Sequence, residues 1–100
     1  MIVNERETPE GLLVSLCDEG LIGESFSNGD VSIEVTESFY GGEVCSESEA
    51  VAALKQAAVA NIVGNESVRI AIEAGIVDET RVLDIDEVRH AQVLNLAHMR

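Results

Sequence analysis

The stretch LIGESFSNGDVSIEVT, residues 21–36, decides the predicted fold. At its centre, Asn28-Gly29 is a strong hairpin signal, because both residue types tolerate the positive φ angles of a tight turn. After the turn, the apolar residues Val31, Ile33 and Val35 alternate with polar ones, as in a strand with one buried face. The stretch therefore predicts two antiparallel strands, residues 21–26 and 31–36.

Further strands are predicted on both sides of this stretch. Residues 2–6 and Gly11–Cys17 flank a Pro-Glu turn and are expected to pair as a second hairpin. Near the other end, residues 82–85 and 89–96 are strand candidates separated by Asp86-Glu87. The pattern indicates an antiparallel sheet built from hairpins.

Two helices are predicted between these strand groups. Ser46 and Glu49 have the spacing of a capping box, and apolar residues then recur at helical spacing up to Gly64. A tight turn and a shorter helix over residues 66–74 follow, with Asn65 as the cap and Gly75 as the stop. The order favours an α+β class: an antiparallel sheet of hairpins with two helices packed on one face, in a single domain over residues 1–100.

The charge is strongly acidic, with 19 Asp and Glu against 6 Lys and Arg, a net charge of −13. Lys55 is the only lysine. A surface of carboxylates without lysine suits multimolar salt, where repulsion between them is screened. A halophilic source is the first interpretation, and an acidic protein that binds a basic partner is the alternative.

The charge is also unevenly distributed along the chain. Residues 1–50 carry 12 acids and one base, whereas residues 51–100 carry 7 acids and 5 bases. Residues 88–100 contain no carboxylate side chain but include Arg89, His90, His98 and Arg100. If any surface accepts phosphate, it is expected to include this segment.

Two segments are candidates for a ligand site. In residues 37–43, Tyr40 precedes Gly41 and Gly42, and such a loop suits a stacking face beside a backbone that can approach a ligand. The alternative is a packed corner whose aromatic rings close the end of the sheet. In residues 89–92, Arg89, His90 and Gln92 bring together a guanidinium, an imidazole and an amide; here the alternative is a structural histidine.

Catalytic chemistry and metal binding find little support in the sequence. No nucleophile elbow is present, and neither Cys17 nor Cys45 has a neighbouring base. Both are expected to be thiols, and they lack the short Cys-x-x-Cys spacing of a zinc site. No catalytic residue, metal or cofactor is predicted.

Four segments together resemble the archaeal family known as domain of unknown function 424. They are residues 17–23 (CDEGLIG), 39–43 (FYGGE), 60–64 (ANIVG) and 90–93 (HAQV). The resemblance covers residues 2 to about 96 and implies a small stand-alone archaeal protein, linked through gene neighbourhoods with translation. It also implies a shared site of Tyr40, Gly41, Gly42, Arg89, His90 and Gln92, if the two segments meet in space.

Three functions follow as hypotheses. The first is a non-enzymatic module of translation or RNA metabolism that contacts RNA or a ribonucleoprotein through residues 88–100. The others are a protein-interaction module that uses a sheet edge or the acidic half, and a small-molecule binder or enzyme that uses Tyr40 and His90. Without an export signal or a long apolar run, the expected location is the cytoplasm without membrane contact, as a monomer or weak dimer.

Overall fold

The computed structural model describes residues 1–94, which form a main sheet of six strands, a separate two-stranded hairpin and three helices. The main sheet has the order β5-β1-β2-β6-β8-β7. Its strands are β1 (Ile2–Thr8), β2 (Gly11–Cys17), β5 (Glu43–Val44), β6 (Val59–Val63), β7 (Leu83–Ile85) and β8 (Val88–Leu94). The hairpin is β3 (Ser25–Asn28) and β4 (Val31–Glu34), and the helices are α1 (Glu37–Tyr40), α2 (Glu47–Gln56) and α3 (Asn65–Glu73). The α+β class is confirmed.

The predicted N-terminal hairpin is confirmed. β1 and β2 pair antiparallel over their whole length, from Thr8 opposite Gly11 to Ile2 opposite Cys17. Gly11 has a φ of +116°, and a Cβ there would lie 2.8 Å from the Cβ of Ala58. A side chain at this position would therefore clash as well as strain the backbone.

The hairpin predicted at Asn28-Gly29 exists, but its turn and its place in the fold differ from the prediction. Asn28 pairs with Val31, so Gly29 and Asp30 form the turn, and only Gly29 has positive φ, +66°. The strands β3 and β4 form their own sheet rather than part of a single one. Phe26 and Ile33 pack against the core of the main sheet. The alternation of apolar and polar residues in the hairpin therefore reflects its packing on the main sheet as a separate layer.

The prediction that the first helix reaches Gly64 is wrong, and so is the tight turn between two helices. The capping box of Ser46 and Glu49 starts α2 as expected, but α2 ends at Gln56 and β6 follows. β6 is a central strand with Ala60, Ile62 and Val63 almost completely buried, parallel to β2 and antiparallel to β8. Apolar residues lie on both faces of β6, with Asn61 as its one polar residue, so its sequence lacks the alternation that marks a half-exposed strand. The sheet is consequently mixed rather than purely antiparallel.

The second helix is confirmed, but its cap is not Asn65. Gly64 precedes α3 with a φ of +117° and supplies no side chain. Instead, the Asp18 carboxylate, at the end of β2, accepts hydrogen bonds from the backbone N–H groups of Glu66 (3.1 Å) and Ser67 (2.8 Å). It also accepts one from the Ser67 hydroxyl (2.6 Å). A carboxylate distant in sequence thus neutralises the positive end of α3.

The core lies on both sides of the main sheet. On the helical face, α2 and α3 pack on apolar residues of β2, β6 and β8: Val14, Leu16, Ala60, Ile62 and Ala91. On the opposite face, which we call the far face, α1 and the β3–β4 hairpin cover a smaller cluster around Cys17, Val35, Tyr40 and Val63. The predicted placement of two helices on one face agrees with this arrangement.

The Asp18 cap generates a stability prediction. Asp18→Ala removes three hydrogen bonds, two of them from backbone N–H groups in the first turn of α3. We therefore expect the free energy of unfolding to fall by about 1–3 kcal/mol. Urea denaturation at constant salt measures it. Asp30→Ala removes the same charge from an exposed turn and is expected to change stability by less than about 0.5 kcal/mol; equal losses would contradict the capping role.

Candidate functional site

The far face of the sheet carries no carboxylate from the six strands within residues 1–94. The strand registers place these side chains on it: Val44 of β5; Ile2, Asn4 and Arg6 of β1; Leu13, Ser15 and Cys17 of β2; Val59, Asn61 and Val63 of β6; Val88, His90, Gln92 and Leu94 of β8; Leu83 and Ile85 of β7. The strand carboxylates, such as Glu5, Glu7 and Asp84, lie toward the helical face. In a chain of net charge −13, this absence is a distinctive feature of the surface.

One half of the far face is covered, and Tyr40 belongs to that covering. Its side chain is only 3% exposed, and its ring lies edge-on to Phe39 with the centroids 5.0 Å apart. Burial raises the pKa of the Tyr40 hydroxyl to about 12, so the phenol stays protonated at neutral pH. The aromatic pair thus serves as a packed corner, the alternative that the sequence left open.

Gly41 and Gly42 have a packing role in the described structure. The Gly41 carbonyl accepts a hydrogen bond from the Asn4 side-chain amide, and a Cβ on Gly42 would collide with the Val3 carbonyl oxygen. The two glycines therefore let the chain pass close to β1 as it leaves α1. Neither glycine has a positive φ, so it is the missing side chain that this contact requires.

His90 and Gln92 lie on the far face of β8. His90 pairs with Val63 and is half-buried, and this burial lowers its pKa below the ordinary value of 6.5. The imidazole is therefore neutral at pH 7. Gln92 is exposed and lies opposite Asn61 of β6. Both predicted candidates thus share a face with Asn4, the residue that holds Gly41.

Arg89 does not join them, because it lies toward the helical face. Its guanidinium forms ion pairs with Asp84 (3.3 Å) and Glu79 (3.8 Å). The fold supplies the carboxylates that residues 88–100 lack, so the electrostatic argument that singled out this segment does not hold at Arg89. Arg100 and His98 lie outside the described residues.

The structure adds a polar row that the sequence analysis missed. This row consists of one residue from each of four adjacent strands, each paired with the next: Asn4, Ser15, Asn61 and Gln92. It spans about 14 Å at the usual strand spacing. Ser15 is 2% exposed, whereas Asn61 is partly exposed. The only signal in the sequence was a single polar residue inside each of two otherwise apolar runs, LLVSLC and VANIV.

An apolar row borders the polar row on its uncovered side. Leu13 pairs with Val59, which pairs with Leu94, and Leu94 is 59% exposed. Arg6 continues this row onto β1. We define the open half of the far face as the accessible members of these two rows: Asn4, Asn61, Gln92, Arg6, Leu13, Val59 and Leu94. Ser15 belongs to the polar row but is buried beneath this surface.

Apart from the Arg6 guanidinium, the strand side chains on the far face are neutral and offer hydrogen bonds and apolar contacts. Burial raises the pKa of the Cys17 thiol to about 11, and it also raises that of Cys45, so neither is an activated nucleophile.

Within residues 1–94, no group of three or more His, Cys, Asp or Glu side chains is arranged to hold a metal ion. None of the helices described in this part of the chain has the length and apolar character needed to cross a membrane.

Comparison with known proteins assigns the chain to a family. Residues 5–96 match the family described as "Protein of unknown function (DUF424)". The chain belongs to the DUF424 family. The fold of this chain is similar to that in the crystal structure of an uncharacterized conserved protein from Methanopyrus kandleri, with a TM-score of 0.78 and 22% identity over 92% of this chain and 88% of that one. No curated protein matches this DUF424 chain.

Thiol reactivity tests the burial of Cys17. At neutral pH we expect iodoacetamide to modify Cys45, which is partly exposed, before Cys17, which is fully buried with a raised pKa. Mass spectrometry of the two cysteine-containing peptides follows the reaction. Addition of urea is expected to equalise the rates, and rapid modification of Cys17 in the folded protein would contradict its placement.

His90 generates a pH prediction. Because its folded pKa lies below 6.5, the unfolded chain binds a proton first as the pH falls. His90 is therefore expected to remove stability progressively as the pH falls from 6.5 through its folded pKa, and to have no such effect above that window. Urea titrations of the wild type and His90→Gln isolate this slope. An NMR titration midpoint for the His90 ring at or above 6.5 would contradict the assignment.

Proposed function

We propose that this DUF424 protein is a non-enzymatic module that binds single-stranded RNA on the open half of the far face, in the cytoplasm of an archaeal, salt-adapted cell. The observation that carries the proposal is the polar row on a sheet face to which the strands within residues 1–94 contribute no carboxylate. The translation link implied by the family resemblance agrees with this ligand class.

Electrostatics support the choice of face. Phosphates are repelled by the carboxylates that dominate this chain, so an RNA strand is best tolerated where the strands present none. Arg6 lies there, and within residues 1–94 its guanidinium is paired with no carboxylate. It donates to the Ser38 carbonyl (2.7 Å), which leaves its charge uncancelled. Arg6 takes the phosphate-contacting role that the sequence assigned to Arg89.

The side chains of the open half suit recognition of unpaired bases. Amides such as Asn61 and Gln92 offer both donors and acceptors to base edges, which are accessible in single strands. The apolar row provides contact for the base faces, and the Phe39 ring, with Arg6 5.6 Å from its centroid, borders this surface. Neutral hydrogen bonds and apolar contacts are also less weakened by salt than phosphate contacts are, as a saline cytoplasm requires.

The enzyme hypothesis receives no comparable support. It requires Tyr40 and His90 to face one another across a pocket, but Tyr40 is a core residue between α1 and β2. Four clefts within residues 1–94 lie along the hairpin, beside β1 and between β8 and the end of α3, and neither Tyr40 nor His90 lines these four. The open half is a surface rather than an enclosed site.

Two substitutions test the RNA proposal. Gln92→Glu and Asn61→Asp place a negative charge on the polar row, and each is expected to weaken binding of a fluorescent single-stranded RNA about tenfold. Fluorescence anisotropy in potassium chloride measures the affinity, and circular dichroism verifies folding. Arg6→Gln is expected to weaken binding to all sequences alike and to reduce the salt slope by about one phosphate contact.

The control is Gln56→Glu, the same chemical change on the exposed end of α2. It adds the same charge to the chain but not to the far face, so affinity should change little. Arg89→Gln should also have little effect. Equal losses for Gln92→Glu and Gln56→Glu, or no binding by the wild type at any salt concentration, would refute the proposed function.

A further inference from the structure

We infer that the exposed edge of β1, residues 5–8, accepts an extended basic segment of a partner protein as an additional strand of the main sheet. This edge lies beside β5 and is a separate surface from the RNA-binding face proposed above. The inference depends on the backbone of β1 and on the carboxylates beside it, and it does not require the RNA proposal.

The edge is open because β5 is short. β5 pairs only with Ile2 and Val3, and the chain that precedes it leaves the sheet through Gly42 toward α1. A shallow cleft lined by Val3, Asn4, Glu5, Gly42 and Glu43 marks the place where β5 ends. Beyond it, β1 continues to Thr8 with β2 on one side only among the described strands.

The backbone groups of this edge point outward. Cys45 N donates to the Met1 carbonyl (2.9 Å), so the odd-numbered residues of β1 direct their N–H and C=O groups toward the β5 side. Glu5 and Glu7 therefore present four backbone groups along this part of the edge that no group of residues 1–94 pairs with. This row is a template for one further strand that continues the ladder started by β5.

The opposite edge of the sheet is less accessible. The Asn28 side chain donates to the Asp84 carbonyl (3.3 Å) on β7, and the β3–β4 hairpin packs beside that strand. Among the described residues, the fold thus partly protects the β7 edge and leaves the longer β1 edge uncovered beyond β5.

Charge determines which occupant fits. Glu43, Glu5 and Glu7 lie on the same face of the sheet at this edge, and none forms an ion pair within residues 1–94. A second copy that paired antiparallel through the same backbone groups would place glutamate opposite glutamate, which is destabilising. A strand with Lys or Arg at every second position instead places cations opposite Glu5 and Glu7.

The intervening positions of the partner strand are also constrained. They project toward the far face, beside Arg6 and beside Val44, which is 71% exposed. A further cation there would meet Arg6, so these positions suit uncharged or apolar residues. The partner segment is therefore defined as an extended run in which basic and uncharged residues alternate.

A designed peptide tests this inference. The probe is a fluorescent decapeptide of alternating Lys and Val or Thr, added to the full chain at the lowest salt that leaves its circular dichroism unchanged. Binding is followed by anisotropy, and amide hydrogen exchange locates the contact. We expect the Glu5 and Glu7 amides, which exchange rapidly in the free protein, to become protected about tenfold or more.

Matched controls separate strand addition from general attraction of a cation to an acidic protein. Glu5→Gln with Glu7→Gln should weaken binding about tenfold, whereas Glu24→Gln with Glu34→Gln removes two exposed charges elsewhere and should change it less than about twofold. A peptide N-methylated at the amides that face β1 should also lose affinity about tenfold. Equal effects of the two double variants, undiminished binding of the N-methylated peptide, or unchanged exchange at Glu5 and Glu7 would overturn the inference. So would self-association of the chain that protects these amides without the peptide.

Discussion

The position of β6 in the middle of the main sheet is the constraint on which the remaining structure depends. This strand is parallel to β2, so the chain between them must cross over the sheet, and α2 makes that crossing. The residues that β6 directs to the helical face, Ala60 and Ile62, form the floor on which α2 and α3 pack. Those it directs to the far face include Asn61, at the centre of the polar row.

The connection from β6 into α3 depends on a second, local constraint. Gly64 takes a positive φ, and its lack of a side chain leaves room for the Asp18 carboxylate against the backbone. The turn after β2 and the start of α3 are thereby joined where β2 and β6 end together. Because a carboxylate of the chain itself occupies the positive end of α3, this helix terminus serves the fold and is not free for an external anion.

The sequence predicted those elements whose signals are local. The capping box at Ser46, the hairpin from Ile2 to Cys17 and the glycine stop after α3 each depend on residues close together in the chain, and all three form. β6 could not be recognised in the same way, because it follows an alanine-rich run directly and its apolar residues continue the helical spacing of α2. Its assignment depends on the pairing with β2 and β8, which one sequence does not display.

The candidate site shows the same division. His90, Gln92 and Arg89 are all candidates for their chemistry, and alternation on a strand correctly places His90 and Gln92 on one face. The expectation of a phosphate contact at Arg89 depended in addition on a count of charges along the chain. A count of charges within residues 88–100 does not include Asp84, which lies in β7. The strand pairing places Asp84 opposite Arg89, where the two form an ion pair. Asn4, Ser15 and Asn61 became candidates only once the register aligned them.

The two proposed binding surfaces use different directions of the same sheet: RNA would contact its far face, and a basic strand would contact its β1 edge. Across the far face, contacts would come from side chains perpendicular to the strands, and all of them except the Arg6 contact would be neutral and only weakly affected by salt. Along the β1 edge, they would come from backbone groups in the plane of the sheet with glutamates beside them, so ionic strength would tune the attraction of a basic strand. Val3 and Asn4, adjacent in β1, direct their side chains to opposite faces, which is why one strand can border both surfaces without the acidic edge adding a carboxylate to the far face.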